Sequence, residues 1–179
     1  MKTRSALPLL LLLALLPGTL DAGSGSKKDI LFVNSYHNGY AWSDDILAGV
    51  RAGLNESGED IDLQIEYLDA KKHDLESLSP AYLGLFRGKF ARHHFHVVIA
   101  ADNDAFNYVM SVRDELFPGT PVVFCGVNEQ ERLPQVMHNV TGVVENIDAE
   151  ECLRTAMRLH PGRDKVLVVG DRSTTGMAI

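Results

Sequence analysis

The sequence contains few cysteines, and this scarcity limits the chemistry it can support. Only Cys125 and Cys152 occur among 179 residues, and no paired spacing of Cys and His forms a metal-binding framework. Cys125 falls in an apolar run of strand length and Cys152 in a segment with helical periodicity. Sequence does not supply the Cα separation that a disulfide requires, so a bridge between them stays open. No metal site is expected.

The chain also lacks an excess of basic residues. Lys and Arg number 17 against 24 Asp and Glu, which gives a formal net charge of −7. The basic residues are scattered along the chain rather than clustered, so no positive surface is expected to attract a phosphate backbone. Nucleic acid is therefore not expected as a partner.

Several nucleotide and catalytic motifs are absent. The loop after the first expected strand reads "NSYHNGYAW" (34–42), where a dinucleotide fold would carry G-x-G-x-x-G, and no phosphate loop occurs elsewhere. No cofactor is expected. The chain has no G-x-S-x-G nucleophile elbow, and the pairs Ser35 with His37 and Cys125 with His138 lack a third group placed by spacing. No catalytic residue is assigned.

The amino-terminal segment has the pattern of a secretory signal peptide. It combines Lys2 and Arg4 with an apolar core over 6–16 and a small residue at Ala22, and residues 1–22 are interpreted as this leader. The apolar core is shorter than the roughly 20 residues of a comfortable bilayer span. An uncleaved membrane anchor is the alternative. Either interpretation predicts that the rest of the chain functions outside the cytoplasm, in the periplasm.

Beyond the leader, apolar runs of strand length alternate with segments of helical periodicity. Ser43 is expected to cap the first helix. Runs rich in Val and Ile that alternate with helices indicate an α/β fold with a parallel sheet covered on both faces. Strands are expected at 29–34, 62–68, 95–101, 121–127, 140–145 and 165–171, and helices at 42–54, 74–90, 102–117 and 148–161.

Polar side chains follow the expected strands. In a parallel sheet the carboxyl ends of the strands share one edge, where ligands bind near the point at which strand order reverses. Tyr36 and Trp42 lie in the first of these loops with Gly39 between them, and aromatic walls with a few fixed polar groups are typical of small-molecule sites. The polar strand ends are 34–36, 102–104, 126–129, 145–146 and 171–174.

Three blocks of sequence resemble a known family. They are "ILFVNSYHNGYAWSDDILAGV", "ADNDAFNYVMSVRDELFPGTPVVFCGVNE" and "NVTGVVENIDAEECLRTAMRLHPGRDKVLVVGD". Together they resemble the ABC transporter substrate-binding family with the type I periplasmic binding fold, especially its form in the extracytoplasmic sensor regions of bacterial signalling proteins. The resemblance runs from Asp29 to Thr175. It implies a Rossmann-like ligand-binding lobe over 29–146 and the truncated beginning of a second lobe over 147–179. The stretch "GSGSKK" over 23–28 is expected from its composition to be a flexible lead-in.

Members of that family close two lobes over a small molecule, in some cases an amino acid, without changing it chemically. The resemblance therefore implies a small-molecule ligand, and an ABC permease or a membrane histidine kinase module as partner. Tyr36 and Trp42 would stack on the ligand, while Asp102, Asn128 and Glu145 would orient its amine or hydroxyl group. The implied ligand-binding positions are Ser35, Tyr36, Trp42, Asp102, Asn103, Asn128, Glu145, Asp171 and Thr174.

Two other functions remain open on the sequence. One is an extracytoplasmic enzyme that uses Asp102 or Glu145 as a general base in the same strand-end cleft, since a carboxylate near a substrate proton can take that role. The other is a sensor domain that contacts only proteins and binds no solute. The binding interpretation is preferred, and it predicts that the chain is not an enzyme.

Overall fold

The computed structural model describes residues 26–128, 138–145 and 148–170. The expected alternation of strands and helices is confirmed up to the fourth helix, with boundaries that differ by a few residues. The strands are β1 (Lys28–Asn34), β2 (Ile61–Tyr67), β3 (Val97–Ala101), β4 (Val122–Val127) and β5 (Val140–Val144), and the helices are α1 (Ala41–Glu56), α2 (Leu75–Phe90), α3 (Asn103–Leu116) and α4 (Ala149–Leu159).

The five strands form one sheet in the order β2-β1-β3-β4-β5. Every neighbouring pair is parallel, which confirms the predicted α/β fold of Rossmann-like character. The chain moves outward from β1 to β2 and then crosses back to β3 on the other side. Strand order therefore reverses between β1 and β3, where open α/β sheets hold their ligands.

Helices cover the two faces of the sheet because alternate residues of each strand point to opposite sides. On one face Phe32 of β1 and Ala101 of β3 pack with Leu47 of α1. On the other face Val33 belongs to a larger cluster, which includes Phe86 of α2 and further residues of α2 and α3. The helices of both layers begin just after the carboxyl ends of strands. Helix starts and strand ends therefore lie at the same edge of the sheet.

The predicted sixth strand is wrong over the residues that can be compared. Residues 165–170 follow α4 without regular secondary structure, and Val166 to Val169 are between 61% and 87% exposed. An apolar run becomes a strand only when a neighbouring strand pairs with its backbone. No strand among the described residues pairs with 165–170. Residue 171 lies outside the described residues.

The predicted cap of α1 is also wrong. The helix begins at Ala41 with Tyr40 in the N-cap position, so Ser43 lies within the first turn. The hydroxyl of Ser43 instead donates a hydrogen bond to Oδ1 of Asn34, at 2.9 Å. Ser43 is fully buried, and this bond joins the start of α1 to the end of β1.

The leader lies outside the described residues, so its role and the domain boundaries drawn from it stay predictions. Among the residues with described positions, no helix has both the length and the apolar character needed to cross a bilayer. Cys125 and Cys152 are both free thiols; Cys125 is half-buried and Cys152 is exposed. The disulfide left open by the sequence is not formed in this structure.

Gly142 provides a test of the strand pairing at the β5 edge. It pairs with Phe124, and a Cβ at position 142 would overlap the carbonyl oxygen of Phe124 and lie 2.5 Å from its Cγ. We expect Gly142→Ala to lower the free energy of unfolding by about 1–3 kcal/mol because β5 must shift away from β4. Urea denaturation followed by circular dichroism measures this change.

Gly53→Ala serves as the matched control. Gly53 lies within α1, and a Cβ there would meet nothing within 4 Å. The same substitution should therefore raise stability by about 0.5–1 kcal/mol, since alanine loses less backbone entropy than glycine in a helix. Equal effects of the two substitutions would contradict the close approach of β5 to β4.

Candidate functional site

Seven of the nine predicted ligand-binding residues lie at the carboxyl edge of the sheet. The remaining two, Asp171 and Thr174, lie outside the described residues. We call the seven residues the rim, and they come from the ends of β1, β3, β4 and β5 and from the first turn of α1. The rim consists of Ser35, Tyr36, Trp42, Asp102, Asn103, Asn128 and Glu145.

Ser35 joins the two strands at which the order reverses. Its amide donates to the carbonyl of Ala101 at 3.2 Å, and its hydroxyl donates to the same carbonyl at 2.9 Å. The hydroxyl oxygen also accepts a hydrogen bond from the amide of Ala105, in the first turn of α3, at 2.7 Å. Ser35 is fully buried, so its role in this structure is to fix β1 against β3 and α3.

Tyr36 is the centre of an aromatic cluster at the end of β1. Its ring centroid lies 5.1 Å from that of Tyr40 and 5.7 Å from that of Trp42, both in edge-to-face geometry. The ammonium of Lys71 lies 4.9 Å from the same centroid, and the phenol donates to Oδ2 of Asp102 at 2.8 Å. Tyr36 is only 3% exposed, so its ring is the buried member of the cluster, against which Tyr40 and Trp42 pack.

Trp42 lies over the end of β4. A Cβ at position 126 would stand 2.7 Å from Cζ2 and 2.9 Å from Cη2 of the indole, and Gly126 has a φ of +70°. The missing side chain is therefore required for the ring to lie there, and glycine also adopts this left-handed backbone without a steric penalty. Trp42 is half-buried, which leaves part of its surface available to a bound molecule.

A chain of amide and carboxylate groups extends the rim towards β5. Nδ2 of Asn103 donates to Oδ1 of Asn128 at 3.2 Å. The backbone amide of Asn128 donates back to Oδ1 of Asn103 at 3.0 Å. Nδ2 of Asn128 then donates to Oε2 of Glu145 at 3.4 Å. Asn103 is buried, Asn128 is half-buried and Glu145 is exposed. Exposure to solvent therefore increases from Asn103 through Asn128 to Glu145.

Asp102 is the electrostatically perturbed group of the rim. Burial raises the pKa of its carboxyl from 3.8 to about 6, the hydrogen bond from Tyr36 opposes this rise, and the nearby charge of Asp104 adds to it. Asp102 is 2% exposed and has a φ of +76°, an uncommon conformation for a residue other than glycine. Perturbed acids and strained backbones are both concentrated at functional sites.

Three contributors to the rim were not selected from the sequence. Asn34 is the last residue of β1 and accepts from the amide of Tyr36 at 3.0 Å, and Lys71 covers the Tyr36 ring from the loop after β2. Gly126 supports Trp42. Asn34 and Gly126 stand among the polar strand ends, and Lys71 follows β2 in "YLDAKK", so position relative to the strands was the available signal.

A groove of about 1040 Å³ opens beside the rim, between the loop after β2 and the start of α3. Lys71 and Asp104 contribute to its lining, together with Asp74, Asn107 and Tyr108. None of the seven rim residues lines it. Because Lys71 also lies over the Tyr36 ring, the groove adjoins the rim at this lysine. We take the rim as the candidate site because the convergent polar groups and the perturbed acid are there.

The groups at the rim are mainly aromatic rings, amides and carboxylates. Within the described part of the chain, no group of three or more His, Cys, Asp or Glu side chains is arranged to hold a metal ion. The rim instead offers an indole surface, amide donors and acceptors, and carboxylates. Those groups match a small solute that combines an apolar surface with polar substituents.

Comparisons with known proteins gave no match to a protein family model, a curated protein or a solved structure. The family resemblance described above therefore rests on the sequence blocks alone, and it stays a prediction.

Substitution of Asp102 should change how stability depends on pH. The pKa in the folded chain is about 6, above its ordinary value, so the folded state binds the proton more tightly than the unfolded state does. This contribution to stability is complete below pH 4 and is lost as the pH rises through 6. We expect Asp102→Asn to remove a decline of roughly 2–3 kcal/mol between pH 4 and pH 7.

Urea denaturation of both proteins at pH 4, 5, 6 and 7 measures this difference. Asp114→Asn is the control, because the Asp114 side chain is fully exposed. A pH profile that is the same in Asp102→Asn as in the unsubstituted chain would contradict the perturbed pKa of Asp102.

Proposed function

We propose that this chain binds a small polar solute reversibly at the rim and releases it chemically unchanged. The observation that carries the proposal is the convergence of seven residues, chosen from the sequence as ligand contacts, on the carboxyl edge beside the switch between β1 and β3. This is the position at which parallel α/β sheets hold ligands. The resemblance to substrate-binding proteins supports the same proposal.

The chemistry of the rim supports a solute with an apolar surface and at least one hydrogen-bond donor. Trp42 offers part of its indole surface, and stacking on aromatic rings contributes much of the affinity in such sites. Asn128 and Glu145 are the more accessible polar members of the rim. Their oxygens accept hydrogen bonds, so a hydroxyl or amine on the solute would be oriented by them.

Location and partners follow from the same proposal. The leader pattern over 1–22 supports export to the periplasm, and the resemblance supports coupling to an ABC permease or to a membrane histidine kinase. In this proposal residues 147–179 begin a second lobe, whose closure over the rim would report occupancy by a hinge movement. The apolar side chains of α4 and of 166–169 are exposed, which is consistent with residues that belong to the core of such a lobe.

One observation favours an enzyme as the second candidate. A carboxyl whose pKa is raised to about 6 is suited to general-base catalysis near neutral pH. Asp102 is nevertheless buried and accepts a hydrogen bond from Tyr36, which fits a structural acid equally well. Recovery of the bound solute by mass spectrometry after prolonged incubation separates the two functions, since a changed mass would favour the enzyme.

Trp42→Ala tests the binding proposal. A thermal-shift screen of the full chain against small organic solutes should identify compounds that stabilise it, by about 2.7 kcal/mol at 100 times the dissociation constant. We expect Trp42→Ala to weaken binding of these compounds by about tenfold or more while unfolding stays cooperative, because the half-buried ring lies at the edge of the core.

Leu85→Ala is the matched control, since Leu85 is an exposed apolar residue on α2 and not on the rim. It should leave affinity unchanged. Equal affinities in the Trp42→Ala and Leu85→Ala proteins would contradict a role for Trp42. A screen in which no solute stabilises the unsubstituted chain would contradict the proposed function itself.

A further inference from the structure

β4 has one residue more than its neighbour β5 at the point where it reaches the rim. The two residues that flank Gly126 pair with consecutive residues of β5, Val143 and Val144. Gly126 is therefore an extra residue, and it forms a β-bulge. The bulge changes the direction in which the strand end faces. Cys125 packs on the sheet face covered by α1, whereas Val127 belongs to the larger cluster on the other face, although residues two apart in a regular strand point to the same side.

Hydrogen bonds hold the backbone on each side of Gly126. The carbonyl of Cys125 accepts from the amide of Asp102 at 2.8 Å. The carbonyl of Val127 accepts from the amide of Glu145 at 2.9 Å. A side chain added at position 126 could therefore not be accommodated by a shift of β4 unless one of these bonds were lost.

The indole of Trp42 is the movable partner in this contact. A Cβ at position 126 would lie 2.7 Å from Cζ2 of the ring, well inside the roughly 3.5–4.0 Å at which two carbon atoms attract each other. Tyr36 is buried and packs edge-to-face against the indole, with 5.7 Å between the ring centroids. The room left for the ring is therefore on its exposed side, which is the surface offered to a solute.

We infer that Gly126 is a specificity-determining residue, because its missing side chain lets the indole lie deep and so sets the largest solute that the rim accepts. A side chain at this position would push Trp42 outward and narrow the space for a solute. A small solute should tolerate this change, whereas a solute with a wider ring should not. The inference rests on the proposed function, because it concerns the solute held at that rim.

Gly119→Ala is the matched control for Gly126→Ala. Gly119 also has a left-handed backbone, with a φ of +75° against +70° for Gly126, and a Cβ there would meet nothing within 4 Å. Both substitutions should lower stability through backbone strain, but only Gly126→Ala should displace the indole. Trp42→Phe combined with Gly126→Ala tests the contact itself, because phenylalanine lacks the two indole atoms that the Cβ would meet.

The position of the ring is measured in the solute-free chain by fluorescence, since Trp42 is the single tryptophan. We expect Gly126→Ala to move the emission to longer wavelength and to raise the acrylamide quenching constant about twofold, because overpacking forces the ring outward. Gly119→Ala should leave both quantities at the values of the unsubstituted chain.

Binding is measured by calorimetry with benzyl alcohol and naphthalen-2-ylmethanol, which carry the same hydroxymethyl group on a small and on a wide ring. We expect Gly126→Ala to weaken binding of the naphthalene compound about tenfold or more and of benzyl alcohol less than about threefold, since a packed site discriminates by bulk. In the Trp42→Phe chain, Gly126→Ala should change the affinity for the naphthalene compound by less than about threefold.

Equal emission and quenching in Gly126→Ala and Gly119→Ala would overturn the inference. An equal loss of affinity for the two alcohols would also overturn it, and the proposed function would stand because both alcohols bind the unsubstituted chain. If neither alcohol binds that chain, the inference fails, and the wider thermal-shift screen decides separately whether the proposed function stands. Should Gly126→Ala alone fail to fold, its combination with Trp42→Phe must fold, and failure of that combination would overturn the inference.

Discussion

The contact between β1 and β3 at Ser35 is the interaction on which the rest of the site depends. One hydroxyl group bonds both the carbonyl at the end of β3 and an amide in the first turn of α3. Two strand ends and a helix start are thereby held within hydrogen-bond distance of each other. Since strand order reverses at this point, the loops that leave β1 and β3 diverge on opposite faces. The space between them is the location of the rim.

The polar groups around this contact are mostly bonded to each other. Tyr36 donates to Asp102, and Asn103 and Asn128 exchange two hydrogen bonds. Such mutual bonding lowers the cost of burying polar groups and holds their side chains in fixed rotamers. The positive φ of Asp102 adds backbone strain that the surrounding bonds must offset. A site of this kind is preorganised, so a ligand would lose little affinity to ordering of the protein.

Much of the fold could be predicted because its signals are local. Apolar runs of strand length identified β1, β3, β4 and β5, and an alternating pattern over 62–68 identified β2. Parallel pairing then placed the carboxyl ends of these strands at one edge. This reasoning needs no distances. It therefore found Tyr36, Asp102 and Asn128 together.

Other features could not be predicted because they depend on contacts between distant segments. Ser43 has the residue type of a cap, yet it bonds to Asn34 because the helix begins at Ala41, before Ser43. The requirement for Gly126 arises from the position of the Trp42 ring, which sequence spacing does not reveal. The run at 166–169 has strand composition, but pairing decides whether such a run becomes a strand.

Hydrogen exchange with and without a stabilising solute tests the central claim most directly, because it reports which backbone amides a bound molecule protects. The account predicts that added protection is concentrated in 34–44, 101–105, 125–128 and 144–145, the segments that form the rim. Protection confined to the groove-lining residues 70–80 and 107–111, with the rim unchanged, would contradict it.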